Sequence, residues 1–367
     1  MNLQMPKLES RALKYGYSNA RVKAMKGLLL KSNQLEEMIR VNSVEAMVEL
    51  LYKTGYKNEL AGAAVNYSGS ALVELAASRN FAKIVRKLIK ITPKEDQAVV
   101  RALLIRWDLL NLKSLMHAKR LKRSYDEVRP YLFEVGGLRE EDFKRIMKAD
   151  EASIMRELRR TELGEKMLAI GTANLSRRMR ESFTSALRSL DMFLQMETII
   201  DAYIYMFMDH ALSEVGAKEV GDIRQLLRRE IDAKNILIIE RLKRHGINKE
   251  KIFGSLIKGG TLNELTLNRV IEAKDLQAVI HIIRPKFRQI ELKGEAGKLK
   301  LTDLEIALEK SITAQKVLAF HTTVLSVGVI VGFLLLKEEE INNIRKIAKC
   351  KEFNVPENEV REMLVVV

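Results

Sequence analysis

Cysteine is nearly absent: Cys350 is the only one in 367 residues. An intramolecular disulfide is therefore impossible, and so is a zinc site built from several thiolates. Such usage fits a reducing compartment. Proline is scarce, with 5 residues, and glycine modest, with 19. Long helices tolerate that scarcity, because an interior proline costs about 3 kcal/mol and a glycine about 1. A many-stranded sandwich needs more turn residues, and no run alternates cleanly at period two. Aromatic residues are only 6%, few for a protein that stacks single-stranded bases. The opening residues, Met1 to Ser10, hold no basic region followed by an apolar run, so no secretory signal is predicted. Acidic residues are outnumbered: 63 Lys and Arg against 48 Asp and Glu leave a net charge of +15. That excess favours an acidic partner, whether nucleic acid, anionic lipid headgroups or an acidic protein face.

Motifs for chemistry are also missing. No Gly-x-x-x-x-Gly-Lys-Ser/Thr loop is present to cradle phosphates, since Gly294-Glu295-Ala296-Gly297-Lys298-Leu299 has the wrong spacing and lacks the hydroxyl. Neither a Gly-x-Gly-x-x-Gly turn nor a serine nucleophile elbow occurs. No two of His117, His210, His245, His281 and His321 stand three or four residues apart, as a helical metal pair requires. Catalytic, cofactor-binding and metal-ligating residues are all expected to be none. Basic clusters run from Lys119 to Arg123, Arg177 to Arg180 and Arg241 to Arg244. Without a recognised nucleic-acid module they read as solvated helix faces.

What the chain does have is 47% apolar and 30% charged residues, enough to bury a core. Its length suggests two or three domains. It also repeats itself. Asp108-x-x-Asn111-Leu112-x-x-Leu115 returns as Asp232-x-x-Asn235-Ile236-x-x-Ile239 and as Glu340-x-x-Asn343-Ile344-x-x-Ile347. Residues three apart share a helix face, and the aliphatics four apart form a neighbouring stripe. The acids are expected to sit near a helix start and accept backbone N–H bonds, with the Asn tying a loop to the helix. A second marker, Glu74, Glu197 and Glu305, precedes each Asn by 37 or 38 residues. A third is a glycine pair ahead of a new helix: Gly136-Gly137 before Phe143 to Ala149, and Gly259-Gly260 before Leu267 to Ala273. Leu35 to Val41 aligns with the first of these helices at an offset of 108. Glycine ends helices cheaply, so the pairs bound three units at 1–137, 138–260 and 261–367. Capping is foreseen at Ser124-x-x-Glu127, and a helix start at Pro356. The basic runs Arg120 to Arg123 and Arg241 to Arg244 look alike but are three residues out of phase, and count as coincidence. A long loop is expected from Pro285 to Lys300.

Val317 to Leu336 is 20 residues long and mostly apolar, enough to span a bilayer. It holds His321, Thr322 and Thr323. Because it lies between Glu305 and Asn343, at the spacing where units one and two carry charged helices such as Phe81 to Ile91, a buried helix is expected instead.

The N-terminal run Tyr17-Ser18-Asn19-Ala20-Arg21-Val22-Lys23-Ala24-Met25-Lys26, followed by Leu50-Leu51-Tyr52-Lys53-Thr54-Gly55-Tyr56, resembles the C subunit of archaeal-type (A/V-type) ATP synthases. The eukaryotic relative of that family is the d subunit of the V-ATPase. The three Asn-aliphatic markers and the glycine pairs also look like that family, and the resemblance covers essentially the whole chain. It implies an all-α fold of three similar helical domains in a pseudo-threefold funnel. It further implies a non-catalytic central-stalk subunit without cofactor. Its partners would be the central-shaft subunits and the membrane rotor (proteolipid) ring, met peripherally on the cytoplasmic face of the cell membrane, with no nucleic acid. The reading kept beside it is a basic helical-repeat protein that binds nucleic acid, with an affinity that falls steeply with salt.

Overall fold

The computed structural model describes residues 7–161, 163–165, 204–206, 208–210, 212, 221–287, 290, 299–322 and 325–364. Among these the protein is all-α, and no strand occurs. In chain order the helices are α1 (Lys7–Lys26), α2 (Ser32–Arg40), α3 (Val44–Leu51), α4 (Lys57–Ala63), α5 (Gly69–Ile91), α6 (Gln97–Arg120), α7 (Tyr125–Val128), α8 (Glu140–Lys148) and α9 (Glu151–Arg159). They continue with α10 (Gly221–Arg244), α11 (Lys249–Gly254), α12 (Glu264–Glu272), α13 (Leu276–Ile283), α14 (Leu301–Thr322), α15 (Val327–Glu352) and α16 (Glu357–Met363).

Local signals place these boundaries. Ser124 and Glu127 form the foreseen capping box, with the Ser124 N–H donating to Glu127 at 2.8 Å. Pro356 stands at the N-cap of α16 with φ −58°. The stretch from Leu138 to Leu158 divides into α8 and α9, because Ala149 leaves helical geometry and Asp150 accepts the Ser153 N–H at 2.7 Å. The helix α8 buries Phe143 and Ile146, one turn apart, and carries its acids in the first turn and Arg145 and Lys148 in the last.

The chain forms two compact units. One takes Met1–Glu165, Val215–Val220 and Val317–Val367. Its core is α5 packed along α15, with α1, α2 and α3 also against α15. Phe81, Trp107 and Phe133 form an aromatic cluster there, with ring centroids 4.3 to 6.2 Å apart. The other unit takes Lys166–Glu214 and Gly221–Lys316. There α10 packs on α11 and α12, and α12 on α13, around the buried Ile236, Ile239, Val270, Val279 and Ile283.

The apolar run from Val317 to Leu336 is not one helix, which corrects the expectation. The helix α14 ends at Thr322 and α15 starts at Val327, while residues 323–324 lie outside the described ones. Leu325 takes the left-handed conformation (φ 48°), and Ser326 caps α15 by accepting the Gly328 N–H at 3.0 Å. Leu318 is 62% exposed, whereas Val327 and Val329 to Leu336 are buried. No helix of the described residues is long and apolar enough to cross a membrane. Glu197, Arg177 to Arg180 and most of the loop from Pro285 to Lys300 lie outside the described residues.

Candidate functional site

The repeated residues build one device three times, a clasp between a long helix and the short helix that follows it in the repeat. On α6, Asp108 accepts the N–H groups of Gly137 and Leu138 at 2.7 and 3.0 Å. On α10, Asp232 accepts those of Thr261 and Leu262 at 2.9 and 3.0 Å, and the Thr261 hydroxyl at 2.5 Å. On α15, Glu340 accepts the Leu30 N–H at 2.5 Å. Each acid thus satisfies amides at the entrance to α8, α12 or α2. The acids thus stand near a helix start and accept backbone N–H bonds as expected, and the structure adds that they project from mid-helix onto the start of another element. Burial pushes the Asp232 carboxyl above its ordinary value, against the hydrogen bonds from Thr261 and Leu262 that pull it down.

The glycines follow from this geometry. A methyl group on Gly136 would overlap the Asp108 carboxylate, and one on Gly260 would overlap that of Asp232. The third copy has Leu28 at this place, with its side chain 77% exposed. There the acid is Glu340, one methylene longer than Asp108 and Asp232.

The asparagines act as expected. Asn111 donates to the Phe133 carbonyl at 2.7 Å and accepts its N–H at 2.8 Å. Asn235 does the same with Ile257, at 2.8 Å in both directions. Asn343 is buried at the equivalent position of α15. Asn19 also grips a backbone in both directions, at Ser326 and 3.2 Å, and so ties α1 to the turn before α15. The Tyr17-Ser18-Asn19 run is therefore a buried tether with Tyr17 left 68% exposed.

A third member of the clasp escaped the sequence reading. Lys119, Lys243 and Lys351 each stand eight residues after the marker Asn. Lys119 donates to the Met147 carbonyl at 2.8 Å and to that of Ala149. Lys243 donates to those of Ala273 at 2.8 Å and Val270 at 3.4 Å. Lys351 donates to the Ile39 carbonyl at 2.9 Å and to that of Val41. Each ammonium closes the C-terminal end of the short helix whose N-terminal end the acid holds, where a cation also favours the helix dipole. The basic clusters are thus not uniformly solvated faces: Lys119 and Lys243 belong to this device. Each long helix then ends alike, with Arg123, Ile247 and Val355 donating back five residues to Ala118, Leu242 and Cys350 at 2.8, 3.1 and 2.8 Å. Lys122, Gly246 and Asn354 supply the left-handed residue that this needs, with φ of 54°, 67° and 53°.

The third clasp carries more charge than the others. Lys337, Glu338, Glu339 and Glu340 are consecutive on α15, and all are at most 6% exposed. Tyr56 donates to Glu340 at 2.6 Å, and Lys337 reaches both the Tyr56 oxygen at 2.9 Å and Glu340 at 2.5 Å. Trp107 donates to Glu338 at 2.7 Å, and Arg106 lies 3.6 Å from the same carboxylate. Burial, with the Glu340 charge beside it, raises the Tyr56 phenol well above its ordinary value, so it stays protonated as a donor. Glu74 of the second marker pairs with Arg345 on α15, and Glu305 lies 3.6 Å from Arg241. Among the described residues no group of three His, Cys, Asp or Glu could hold a metal ion. A groove of about 310 Å³ lies where α10 ends and α13 begins, but Lys243 and Asp275 in its wall are already engaged with backbone. These arrangements hold helices together.

The sequence pattern of the ATP synthase (C/AC39) subunit family matches residues 18–363. The chain is 25% identical over 357 residues to the C subunit of the A-type ATP synthase of Methanosarcina mazei, covering 96% of this chain and 93% of that one. It is 26% identical over 354 residues to the C subunit of the A-type ATP synthase of Thermococcus onnurineus, covering 95% and 90%. It is 27% identical over 352 residues to the C subunit of the V-type ATP synthase of Thermus thermophilus, covering 96% and 98%.

Proposed function

The chain belongs to the ATP synthase (C/AC39) subunit family, and from that premise we propose that it is the non-catalytic central-stalk subunit of an A-type rotary ATP synthase. In this role it is a socket: three similar helical domains, 1–137, 138–260 and 261–367, arranged as a pseudo-threefold funnel. The funnel receives the central-shaft subunits and rests on the membrane rotor ring, at the cytoplasmic face and without crossing the membrane. Torque then passes through the chain between ion translocation and ATP synthesis, while nucleotide chemistry stays elsewhere.

The threefold clasp supports this reading most directly. A torque-bearing collar needs fixed angles between its helices, and the clasp pins each short helix at both ends with charge-assisted bonds to one long helix. The nucleic-acid alternative loses support from the same geometry, because Lys119 and Lys243 are committed to helix-end carbonyls. The test is reconstitution of the purified full chain with detergent-solubilised rotor ring and shaft subunits of an A-type ATP synthase. Co-elution with both is the expected result. A chain that binds neither, yet shifts duplex DNA with an affinity that collapses between low and physiological salt, would sink the proposal.

A further inference from the structure

We propose that the outer face of α1 is a docking seam for one helix of a partner protein, an amphipathic helix whose apolar stripe is flanked by acidic residues. This goes beyond the socket reading and does not rest on it. The inner face of α1 is fully engaged. Tyr15, Ser18, Asn19, Val22 and Met25 are buried there, and the helix packs on α15 and α5. Asn19 holds the Ser326 backbone in both directions. The Tyr15 hydroxyl and the Lys14 ammonium both reach the buried Asp96, at 2.9 Å each. With α1 fixed in this way, its outer face is preorganised, and a partner would lose little order to meet it.

That outer face is uncharged where a surface helix is ordinarily polar. Leu13, Tyr17, Ala20 and Ala24 are all exposed, Leu13 to 74%. At 3.6 residues per turn they fall within a band of about 60°, opposite the buried side. Helix α8 shows the contrast, since its exposed positions are Glu141, Lys144, Arg145 and Lys148. One exposed leucine needs no partner. Here the spacing of the four residues is 4, 3 and 4, that of successive d and a positions in a heptad. The seam they form is about 17 Å long at 1.5 Å per residue.

The flanks name the chemistry of the occupant. Arg21 and Lys23 are exposed and stand at the e and g positions, one on each side of the seam. Neither is paired with an acid among the described residues. Charge complementarity therefore calls for Glu or Asp beside the partner's apolar stripe. A second copy of this face would set cation against cation. A lipid surface fits less well, because an interfacial helix presents a broader face with bulky side chains. Ala20 and Ala24 instead leave room for another helix to approach closely.

Fluorescence anisotropy with the full chain tests the seam. The probe is a labelled synthetic peptide of about three heptads with Leu at a and d and Glu at e and g. Saturable binding is expected, at least tenfold tighter than that of a scrambled peptide of the same composition. No binding, or equal binding of the scrambled peptide, overturns the proposal. The double variant Leu13→Gln with Tyr17→Gln changes only exposed side chains and is expected to bind at least tenfold more weakly. Arg21→Glu with Lys23→Glu is expected to lose the acidic peptide and to gain one carrying Lys in place of Glu. Binding unchanged in both variants overturns the proposal. Should a variant fail to fold, a photoreactive group at a d position of the peptide reads the wild type directly. Cross-links to residues 13–24 are expected, and cross-links confined to any other segment overturn the proposal. So does a wild type that ignores the peptide but floats with anionic vesicles, or one that pairs with itself and becomes monomeric on Tyr17→Gln.

Discussion

Gly260 shows how little freedom the clasp leaves a single residue. Gly260→Ala drives a methyl group into the Asp232 carboxylate. Overpacking of this kind costs about 1–3 kcal/mol, which a denaturant midpoint would read. Leu28→Gly, at the equivalent place beside the longer Glu340, should change stability far less, because its side chain is already exposed. Asp232→Ala strands the amides of Thr261 and Leu262 and is expected to lower thermal stability more than it lowers any coupling between ion flow and ATP synthesis. Normal melting with lost coupling would reverse that assignment. Glu74 gives a pH signature. Burial, outweighing Arg345, raises its pKa, so the folded state holds the proton more readily than the unfolded chain. Stability from this group is present in acid and lost as pH rises through the raised value. Urea melts across that range should show the wild type losing ground to Glu74→Gln as pH rises, and the opposite slope would contradict the assignment. At this scale the acid and Asn roles were legible, because three copies at one spacing point to backbone partners. The lysine was not. In a chain with 63 Lys and Arg, one lysine eight residues on carries no signal until the register is fixed by structure.

Among elements, the six helices of the clasps are paired by charge at both ends. Lys119→Met, Lys243→Met and Lys351→Met each leave two helix-end carbonyls without their ammonium, at about 1.5–3 kcal/mol apiece for hydrogen bonds to a charged donor. Calorimetry on the three variants should find similar losses, and a loss confined to one of them would show that the copies are not mechanically equivalent. Helix content and the caps at Ser124 and Pro356 were plain in the sequence, since capping acts locally. The division of residues 317–336 was hidden. Its cause is a left-handed Leu325 followed by a Ser326 cap that Asn19 holds from a distant helix. Hydropathy averages over such a break. The alignment of Leu35 to Val41 with α8 and α12 did foretell that α2 is a third short helix. That its long partner is α15 is a matter of tertiary closure, which spacing alone does not encode.

At the scale of the whole molecule, the +15 charge bears on assembly more than on folding. If acidic loop ends of the rotor ring or anionic headgroups meet it, binding should weaken as ionic strength rises from about 0.05 to 0.5 M, since screening shortens the reach of exposed charges. Sedimentation with ring-containing vesicles would check this, and salt-independent binding would point to an apolar contact. The packing of α15 along α5 also has a consequence for biosynthesis. Helix α5 leaves the ribosome long before its neighbour is made. At about 5–20 residues per second the delay is on the order of 10–50 s. Throughout that interval the face of α5 that finally packs on α15 stays uncovered, so the nascent protein is a natural client for chaperones until α15 is made.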